Sequence, residues 1–403
     1  MKILQSFSIV AFVSLMVWNL CACAASQKQS PKPTATSTPT PAQTRSTPWI
    51  EETVTFSSGS NKLYGVLTLP NKPGLFPAIV LISGAADEYS GLRSGIFNSY
   101  LKDQAHNMVE YGFAVLRYDP PGVGLSTGDS HFETLDDRAQ ESMAALHYLQ
   151  TRPDIHPDRV GLWGISQGGW VIEMAAADNP QEVAFLISVS GSGVSVAEQQ
   201  VWGVETQSRA AGLSESDVTK AGLFARLLID WQLTKPIYQA ANQATAAQLG
   251  DGPWQDFMKL VYEPGGMIPT DSLQAVIKIL ETVQDEPWTK ALYLKSVYLP
   301  QLRRITPEQL TDMEGKADAS LLTDTKDFLT RVTCPVLAIF GADDQLVPAQ
   351  KSAELYEQYL SQAGNKNFKI VVFPNADHAL NGAMADYWKI LSEWLGGLFD
   401  ANK

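Results

Sequence analysis

Mostly apolar runs alternate with stretches of helical periodicity along the first half of this chain. The runs are FPAIVLIS (76–83), FAVLRYD (113–119), RVGLWGIS (159–166) and VAFLISVSG (183–191), and they are typical of strands buried on both faces of a sheet. The helical stretches lie between them, at 94–111, 134–151 and 167–177. Strands that alternate with helices predict a parallel sheet with crossover helices.

Two departures from this alternation indicate how the chain is divided into a core and an insertion. Near the N-terminal end of the core, EETVTFSS and KLYGVLTLP flank a Ser-Gly-Ser-Asn turn, which predicts an antiparallel hairpin. Later, residues 195–330 hold no comparable apolar run and are rich in Ala, Leu, Gln and Glu, which indicates a helical insertion. The alternation then resumes with PVLAIFG, a helix at 348–362, FKIVVFP and a helix at 384–399. We expect an α/β core over residues 49–194 and 331–403 and a helical cap over 195–330.

The four cap tryptophans admit two interpretations. Trp202, Trp231, Trp254 and Trp288 are spread through the insertion, where they could line an acyl pocket or form the core of the cap. Core is the favoured interpretation.

Residues 1–23 are typical of an export signal. Met1-Lys2 gives a positive start, and the apolar run SIVAFVSLMVW is too short to span a bilayer comfortably. Leu-Cys-Ala-Cys at 20–23 resembles a bacterial lipobox, in which Cys23 is acylated after cleavage. The alternative is ordinary cleavage near Cys23 and secretion. We expect a lipoprotein of the cell envelope, held to the membrane only through this lipid.

Residues 24–48 and the net charge of the chain indicate a tether and the kinds of partner to expect. Residues 24–48 are rich in Ser, Thr and Pro and nearly free of large apolar groups, so they predict a flexible tether. The chain carries a formal net charge of −13, and its sequence pI is about 4.9. Such an acidic surface argues against nucleic acid as a partner.

Residues 164–169 read GISQGG and hold the first candidate for chemistry. A Gly-x-Ser-x-Gly sequence occurs by chance in roughly one chain in ten of this length. Here, however, Ser166 follows a buried strand and precedes a helix, which is the setting of a nucleophile elbow. Gly164 and Gly168 leave room for the tight turn, and Gly169 lets the helix approach the sheet. The helix N-terminus offers free N–H groups to a developing oxyanion.

A serine hydroxyl needs a base, and the chain has five histidines. Four of them precede the elbow: His106, His131, His147 and His156. Only His378 follows it, in FPNADHAL just past the last predicted strand. The acid that would orient this histidine should follow the preceding strand, where Asp343 and Asp344 compete in FGADDQLVP.

The elbow and the chain order Ser, Asp, His resemble the α/β-hydrolase superfamily over roughly residues 51–400. The resemblance implies an α/β-hydrolase fold, with a mostly parallel central sheet flanked by helices. Many members carry the acid in a Gly-x-x-Asp-x-x-Val-Pro pattern, and GADDQLVP puts Asp344 in that slot. The resemblance therefore implies a triad of Ser166, His378 and Asp344.

The same resemblance implies an oxyanion hole made of two backbone N–H groups. One belongs to Gln167, the residue after the nucleophile, and the other to the loop after FPAIVLIS, where Ala85 is the best candidate. No metal and no organic cofactor is implied. The lone cysteine of the mature domain, Cys334, is expected to be a small core residue.

Within the superfamily, the chain is most similar to bacterial carboxylesterases with a long helical cap after the sixth strand. This similarity implies a serine hydrolase acting on small-molecule carboxylic esters through an acyl-enzyme. A serine peptidase or amidase, an acyl thioesterase and an acyltransferase are alternatives that would use the same triad. A non-catalytic envelope binding protein is a more remote alternative, since a binding module has no need of all three residues.

Overall fold

The computed structural model describes residues 48–84, 94–129, 133–263 and 269–399. The predicted export signal with Cys23, the tether up to residue 47, and Ala85 lie outside these described residues. In the part of the chain that is described, no helix is both long and apolar enough to cross a membrane.

Strands and helices alternate on both sides of a long helical segment. The strands of the described segments are β1 (Trp49–Ser58), β2 (Asn61–Pro70), β3 (Phe76–Ile82), β4 (Ala114–Asp119), β5 (Ile155–Ile165), β6 (Leu186–Val189), β7 (Val336–Gly341) and β8 (Phe368–Phe373). The α-helices are α1 (Ser99–Glu110), α2 (Leu135–Gln150), α3 (Gln167–Asp178), α4 (Val196–Ala210), α5 (Glu215–Gln232), α6 (Gln239–Leu249), α7 (Pro253–Tyr262), α8 (Pro269–Val283), α9 (Pro287–Ala291), α10 (Leu299–Leu302), α11 (Pro307–Leu321), α12 (Lys326–Leu329), α13 (Ala349–Gln362) and α14 (Met384–Gly397), with a π-helical turn at Leu294–Tyr298.

All eight strands form one sheet in the order β1-β2-β4-β3-β5-β6-β7-β8. Six strands, β3 to β8 in chain order, run parallel to one another. Strand β2 pairs antiparallel with both β1 and β4. Ser58 faces Asn61 across the β1–β2 hairpin, and Gly59 in the turn has a φ of +55°, which favours glycine. The predicted parallel sheet with an antiparallel hairpin in front is therefore confirmed.

Helices cover both faces of the sheet, so the inner strands such as β3, β6 and β7 are buried on two sides. Along β3, Ile79 and Leu81 pack in the cluster that holds α1 and α14, whereas Ala78 and Val80 pack in the cluster that holds α2, α3 and α13. This alternation follows from the twofold period of a strand, and it explains why the sequence of β3 is apolar throughout.

In its described part, the segment between β6 and β7 contains helices and connecting turns and no strand. Three of its tryptophans, Trp231, Trp254 and Trp288, are buried in the main hydrophobic cluster, while Trp202 is half-buried. The core interpretation of these three residues is confirmed. The division of the chain into a core and a separate cap stays a prediction.

Two predicted boundaries are wrong by a few residues. The first helix begins at Ser99 and not at residue 94, because the side chain of Asn98 accepts a hydrogen bond from Leu101 N (3.2 Å) and caps the helix there. Ser94 instead donates from its hydroxyl to Asp119 Oδ1 at 2.6 Å. Strand β5 begins at Ile155, earlier than the apolar run suggests.

Candidate active site

Ser166 occupies a sharp turn between β5 and α3. Its φ is +56° and its ψ is −121°, a conformation that residues other than glycine rarely adopt. The N–H of Ser166 donates to the carbonyl oxygen of Val189 at 2.9 Å, which fixes the turn to the end of β6. The side chain is buried, and its Oγ makes no hydrogen bond to any residue that the structure describes.

Glycines make this turn sterically possible. A Cβ on Gly164 would lie 2.2 Å from the carbonyl oxygen of Gly168, and a Cβ on Gly168 would lie 2.7 Å from the carbonyl oxygen of Ile82. A Cβ on Gly169 would lie 2.6 Å from the Cα of Gly191, just after β6. Helix α3 therefore begins in backbone contact with the ends of β3 and β6, and only glycine fits at these positions.

His378 and Asp344 lie in contact beyond the ends of β8 and β7. The His378 Nδ1 lies 2.8 Å from Asp344 Oδ2, and the Asp344 side chain is fully buried. The other carboxylate oxygen, Oδ1, accepts the backbone N–H groups of Leu346 (2.8 Å) and Val347 (3.0 Å). Asp343, the competing residue, is exposed. The carboxylate of Asp344 is therefore fixed from both sides, with one oxygen aimed at the histidine.

Ser190 connects the histidine loop to the elbow, a role that the sequence analysis missed. The Ser190 hydroxyl donates to the carbonyl oxygen of His378 at 2.9 Å, and Ser190 adopts a φ of +48° at the end of β6. Its neighbour Val189 accepts the N–H of Ser166. Two consecutive residues thus hold the backbones of Ser166 and His378. No sequence signal points to Ser190, because a serine in a Gly/Ser-rich loop is common.

Asp377 shapes the same loop. Its Oδ1 accepts the backbone N–H groups of Ala379 (3.0 Å) and Asn381 (2.9 Å), and Oδ2 accepts the Asn381 side-chain amide (2.9 Å). An aspartate that bonds the backbone two residues on is a common turn device. Asp377 therefore places a second negative charge beside His378.

These two carboxylates determine the charge state of the histidine. Burial lowers the pKa of His378, but the charge and hydrogen bond of Asp344 and the charge of Asp377 raise it. The result is a pKa above the ordinary value of 6.5. An imidazole in this environment binds a proton readily, as a general base must.

Gln167 is the first residue of α3, so its backbone N–H is one of those that an α-helix leaves without an intrahelical partner. Its side-chain oxygen accepts a hydrogen bond from Arg138. Ala85, the predicted second donor, lies outside the described residues. Cys334 packs against the main hydrophobic cluster, and burial raises the pKa of its thiol to about 12, so it is no nucleophile at neutral pH.

A sequence model of the family described as X-Pro dipeptidyl-peptidase (S15 family) matches residues 30–379. The chain belongs to this S15 family. Together with the eight-stranded sheet, this membership makes it a serine hydrolase of the α/β-hydrolase superfamily, as the sequence resemblance implied. The family description names a peptidase, whereas the sequence resemblance to carboxylesterases implied an ester hydrolase.

Curated relatives match only part of this S15-family chain. Human mitochondrial palmitoyl-protein thioesterase ABHD10 is 30% identical over 117 residues, which are 29% of this chain and 34% of the relative. The uncharacterized peptidase YtmA of Bacillus subtilis is 22% identical over 139 residues, or 34% of this chain and 50% of the relative. The chain thus spans between a third and a half of these relatives.

Solved structures match over most of the chain at low identity. Est1E from Butyrivibrio proteoclasticus is 16% identical, covering 86% of this chain and 98% of its own, with a TM-score of 0.47. Proline iminopeptidase from Mycobacterium smegmatis is also 16% identical, with the same coverage and a TM-score of 0.48.

Proposed function

We propose that this chain hydrolyses small-molecule carboxylic esters, with Ser166 as the nucleophile, His378 as the general base and Asp344 as the residue that orients the imidazole. The observation that carries the proposal is the set of contacts at the carboxyl ends of β5 to β8. His378 is hydrogen-bonded to a buried Asp344, and Val189 and Ser190 join the backbones of Ser166 and His378.

The proposed reaction follows from these contacts. With its Nδ1–H donated to Asp344, His378 has the lone pair on Nε2 and takes the proton of the Ser166 hydroxyl as Oγ attacks the ester carbonyl. The tetrahedral oxyanion accepts the N–H groups of Gln167 and, by the sequence pattern, Ala85. The C–O bond to the leaving group then breaks, and His378 gives the proton to the departing alcohol. Water repeats the cycle, releasing the acid and restoring Ser166.

The second candidate is a peptidase that removes X-Pro dipeptides. It is favoured by the S15 family match, which covers residues 30–379. The same triad would serve both reactions, because esters and amides pass through the same tetrahedral intermediate. The two candidates differ in the leaving group and in whether the substrate carries a free amino terminus.

The test uses the purified chain with a fluorophosphonate probe and two chromogenic substrates. We expect Ser166 to be labelled, and p-nitrophenyl butyrate to be hydrolysed while Ala-Pro-p-nitroanilide is not. Absence of labelling would overturn the serine-hydrolase mechanism. Turnover of the anilide at about 1 s⁻¹ or faster, the lower end of usual enzyme rates, would replace the esterase assignment by the peptidase.

The pH dependence of ester hydrolysis should respond to Asp377. Activity requires neutral His378, so kcat/KM should fall as the pH drops through a histidine pKa raised by Asp344 and Asp377. Asp377→Asn removes one of the two charges, so the acid limb should move to lower pH. The plateau rate should be retained, since asparagine keeps the oxygen that accepts the N–H groups of Ala379 and Asn381. Measuring kcat/KM between pH 5 and 9 checks this.

The matched control is Asp386→Asn. Asp386 is an exposed aspartate in the first turn of α14 and is not among the groups that shift the pKa of His378. Its replacement removes the same charge and should leave the acid limb in place. An unchanged limb in the Asp377 variant would show that this carboxylate does not act on the catalytic base.

We further propose that Cys23 carries a lipid and that residues 24–48 tether the enzyme at the cell envelope. The support is the Leu-Cys-Ala-Cys pattern after an apolar run. In a bacterial host fed radiolabelled palmitate, the full chain and Cys21→Ser should incorporate label and Cys23→Ser should not. Label retained by Cys23→Ser, or absent from the full chain, would contradict the proposal.

A further inference from the structure

Arg138 connects two segments that flank the elbow. It lies on α2, and its Nη1 donates to the side-chain oxygen of Gln167, directly after Ser166. Its Nη2 donates to the carbonyl oxygen of Ser83 at 2.6 Å, directly after β3. One guanidinium therefore bridges the first residue of α3 and the end of a neighbouring strand.

Arg138 lies near the N-terminus of α2. Thr134 caps α2 and makes a reciprocal capping box with Asp137, so Arg138 lies close to the positive end of the helix dipole. Arg138 is half-buried. The oxygens of Gln167 and Ser83 to which its guanidinium donates are neutral.

The bridge spans a tight backbone contact. A Cβ on Gly168 would lie 2.7 Å from the carbonyl oxygen of Ile82 and 2.9 Å from that of Ser83. The first turn of α3 therefore rests directly on the end of β3, and a shift between them would move the N–H of Gln167. Arg138 binds both sides of this contact, and its planar fork of donors suits two acceptors at once.

We propose that Arg138 is a positioning residue that fixes the Gln167 N–H in the oxyanion hole. The inference rests on the proposed function, in which that N–H stabilises the tetrahedral oxyanion. Arg138 does not touch the reacting atoms in this scheme. It acts by holding the Gln167 side chain and the Ser83 carbonyl. The role of the Gln167 side chain is therefore to accept this hydrogen bond.

The experiment compares Arg138→Met, Arg138→Lys, Gln167→Met and the double variant Arg138→Met/Gln167→Met with the wild-type chain. Methionine keeps an unbranched stem and removes the hydrogen-bonding groups, and lysine restores a single point-like donor. Arg331→Met is the matched control, because Arg331 donates to the carbonyl of Ala177 and to Asp178 at the opposite end of α3. Each protein is measured for p-nitrophenyl butyrate kinetics, fluorophosphonate labelling rate and melting temperature.

We expect Arg138→Met to lower kcat about 10- to 100-fold with KM within about twofold, since a misplacement of about 1 Å can cost that much. The labelling rate should fall in parallel, because the probe develops charge on the same oxygen. The acid limb of the pH profile of kcat/KM should not move, since the surroundings of His378 are unchanged. Arg138→Lys should recover part of the rate, and the double variant should match Arg138→Met, because Gln167→Met removes only a contact that Arg138→Met has already broken.

Other results overturn the inference. If folded Arg138→Met or Arg138→Lys keeps the wild-type kcat, or the two single effects add in the double variant, Arg138 does not act through Gln167. If Arg331→Met lowers kcat equally, the effect is general destabilisation of α3. If the wild-type chain is not labelled at all, the proposed function fails, and this inference fails with it. If the wild-type chain is labelled by the fluorophosphonate and the Arg138 variants keep its kcat, only the role of Arg138 is overturned.

Discussion

Replacing Ser166 by alanine should lower kcat for p-nitrophenyl butyrate by about 10⁵- to 10⁶-fold, the loss that follows removal of a serine nucleophile from an intact triad. Steady-state kinetics on the purified variant measure the loss, and the fluorophosphonate label should disappear.

The same substitution should not destabilise the fold. Ser166 has a φ of +56°, and its buried hydroxyl makes no hydrogen bond within the described residues, so the native residue is strained and unsatisfied. Ser166→Ala should therefore melt at or above the wild-type temperature. Ser166→Gly should melt higher still, since glycine relieves roughly 1 kcal/mol of backbone strain. Thermal unfolding of the three proteins tests this order.

Two outcomes would contradict this account of the elbow. Ester turnover by Ser166→Ala within about tenfold of wild type would place the nucleophile elsewhere. A variant that is inactive and also melts far below wild type would mean that the serine stabilises the turn, and the kinetic loss would then report unfolding.

Much of the fold was predictable because its core has a simple pattern. Strands β3, β6 and β7 are short apolar runs, because they are buried on both faces of the sheet. The β1–β2 hairpin was predictable from the Ser-Gly-Ser-Asn turn that joins its strands. The predicted start of helix α1 was five residues early, because the helical spacing extends to residue 94 whereas the Asn98 side chain caps the helix at Ser99.

The candidate site was predictable in part. Ser166 and His378 follow from strand ends, and Asp344 follows from a family pattern. The residues that hold them were not predictable. The Ser190 hydroxyl donates to a carbonyl 188 positions away, and Arg138 donates to the carbonyl of Ser83, 55 positions away. Sequence periodicity carries no information on such contacts, because each depends on where two separate loops meet.

The burial of some polar residues is equally unpredictable from the sequence. Glu173 lies on α3 with no exposed surface, and burial raises its pKa well above the ordinary value, although the hydrogen bond from Tyr356 lowers it. Tyr356 donates to it, and the hydroxyl of Ser188 lies 2.8 Å from that of Tyr356. A glutamate in a helix is normally exposed, so only the packing of α3 against β6 and α13 reveals this cluster.

Asp344→Asn should lower kcat by about 10⁴-fold while Asp343→Asn leaves it unchanged, although the two aspartates are adjacent. Asp343 is exposed, whereas the Asp344 carboxylate faces His378. In the asparagine variant, the backbone N–H groups of Leu346 and Val347 require an acceptor at the Oδ1 position, so the carbonyl oxygen must stay there. The amide nitrogen then faces Nδ1 of His378.

This orientation reverses the hydrogen bond to the histidine. An amide N–H can only donate, so Nδ1 becomes the acceptor and the imidazole proton moves to Nε2. The imidazole can then no longer take the proton of Ser166, although the loop keeps its shape. We therefore expect a wild-type melting curve with a collapsed kcat for Asp344→Asn. Equal losses in the two asparagine variants, or normal activity in Asp344→Asn, would rule out this assignment of the triad acid.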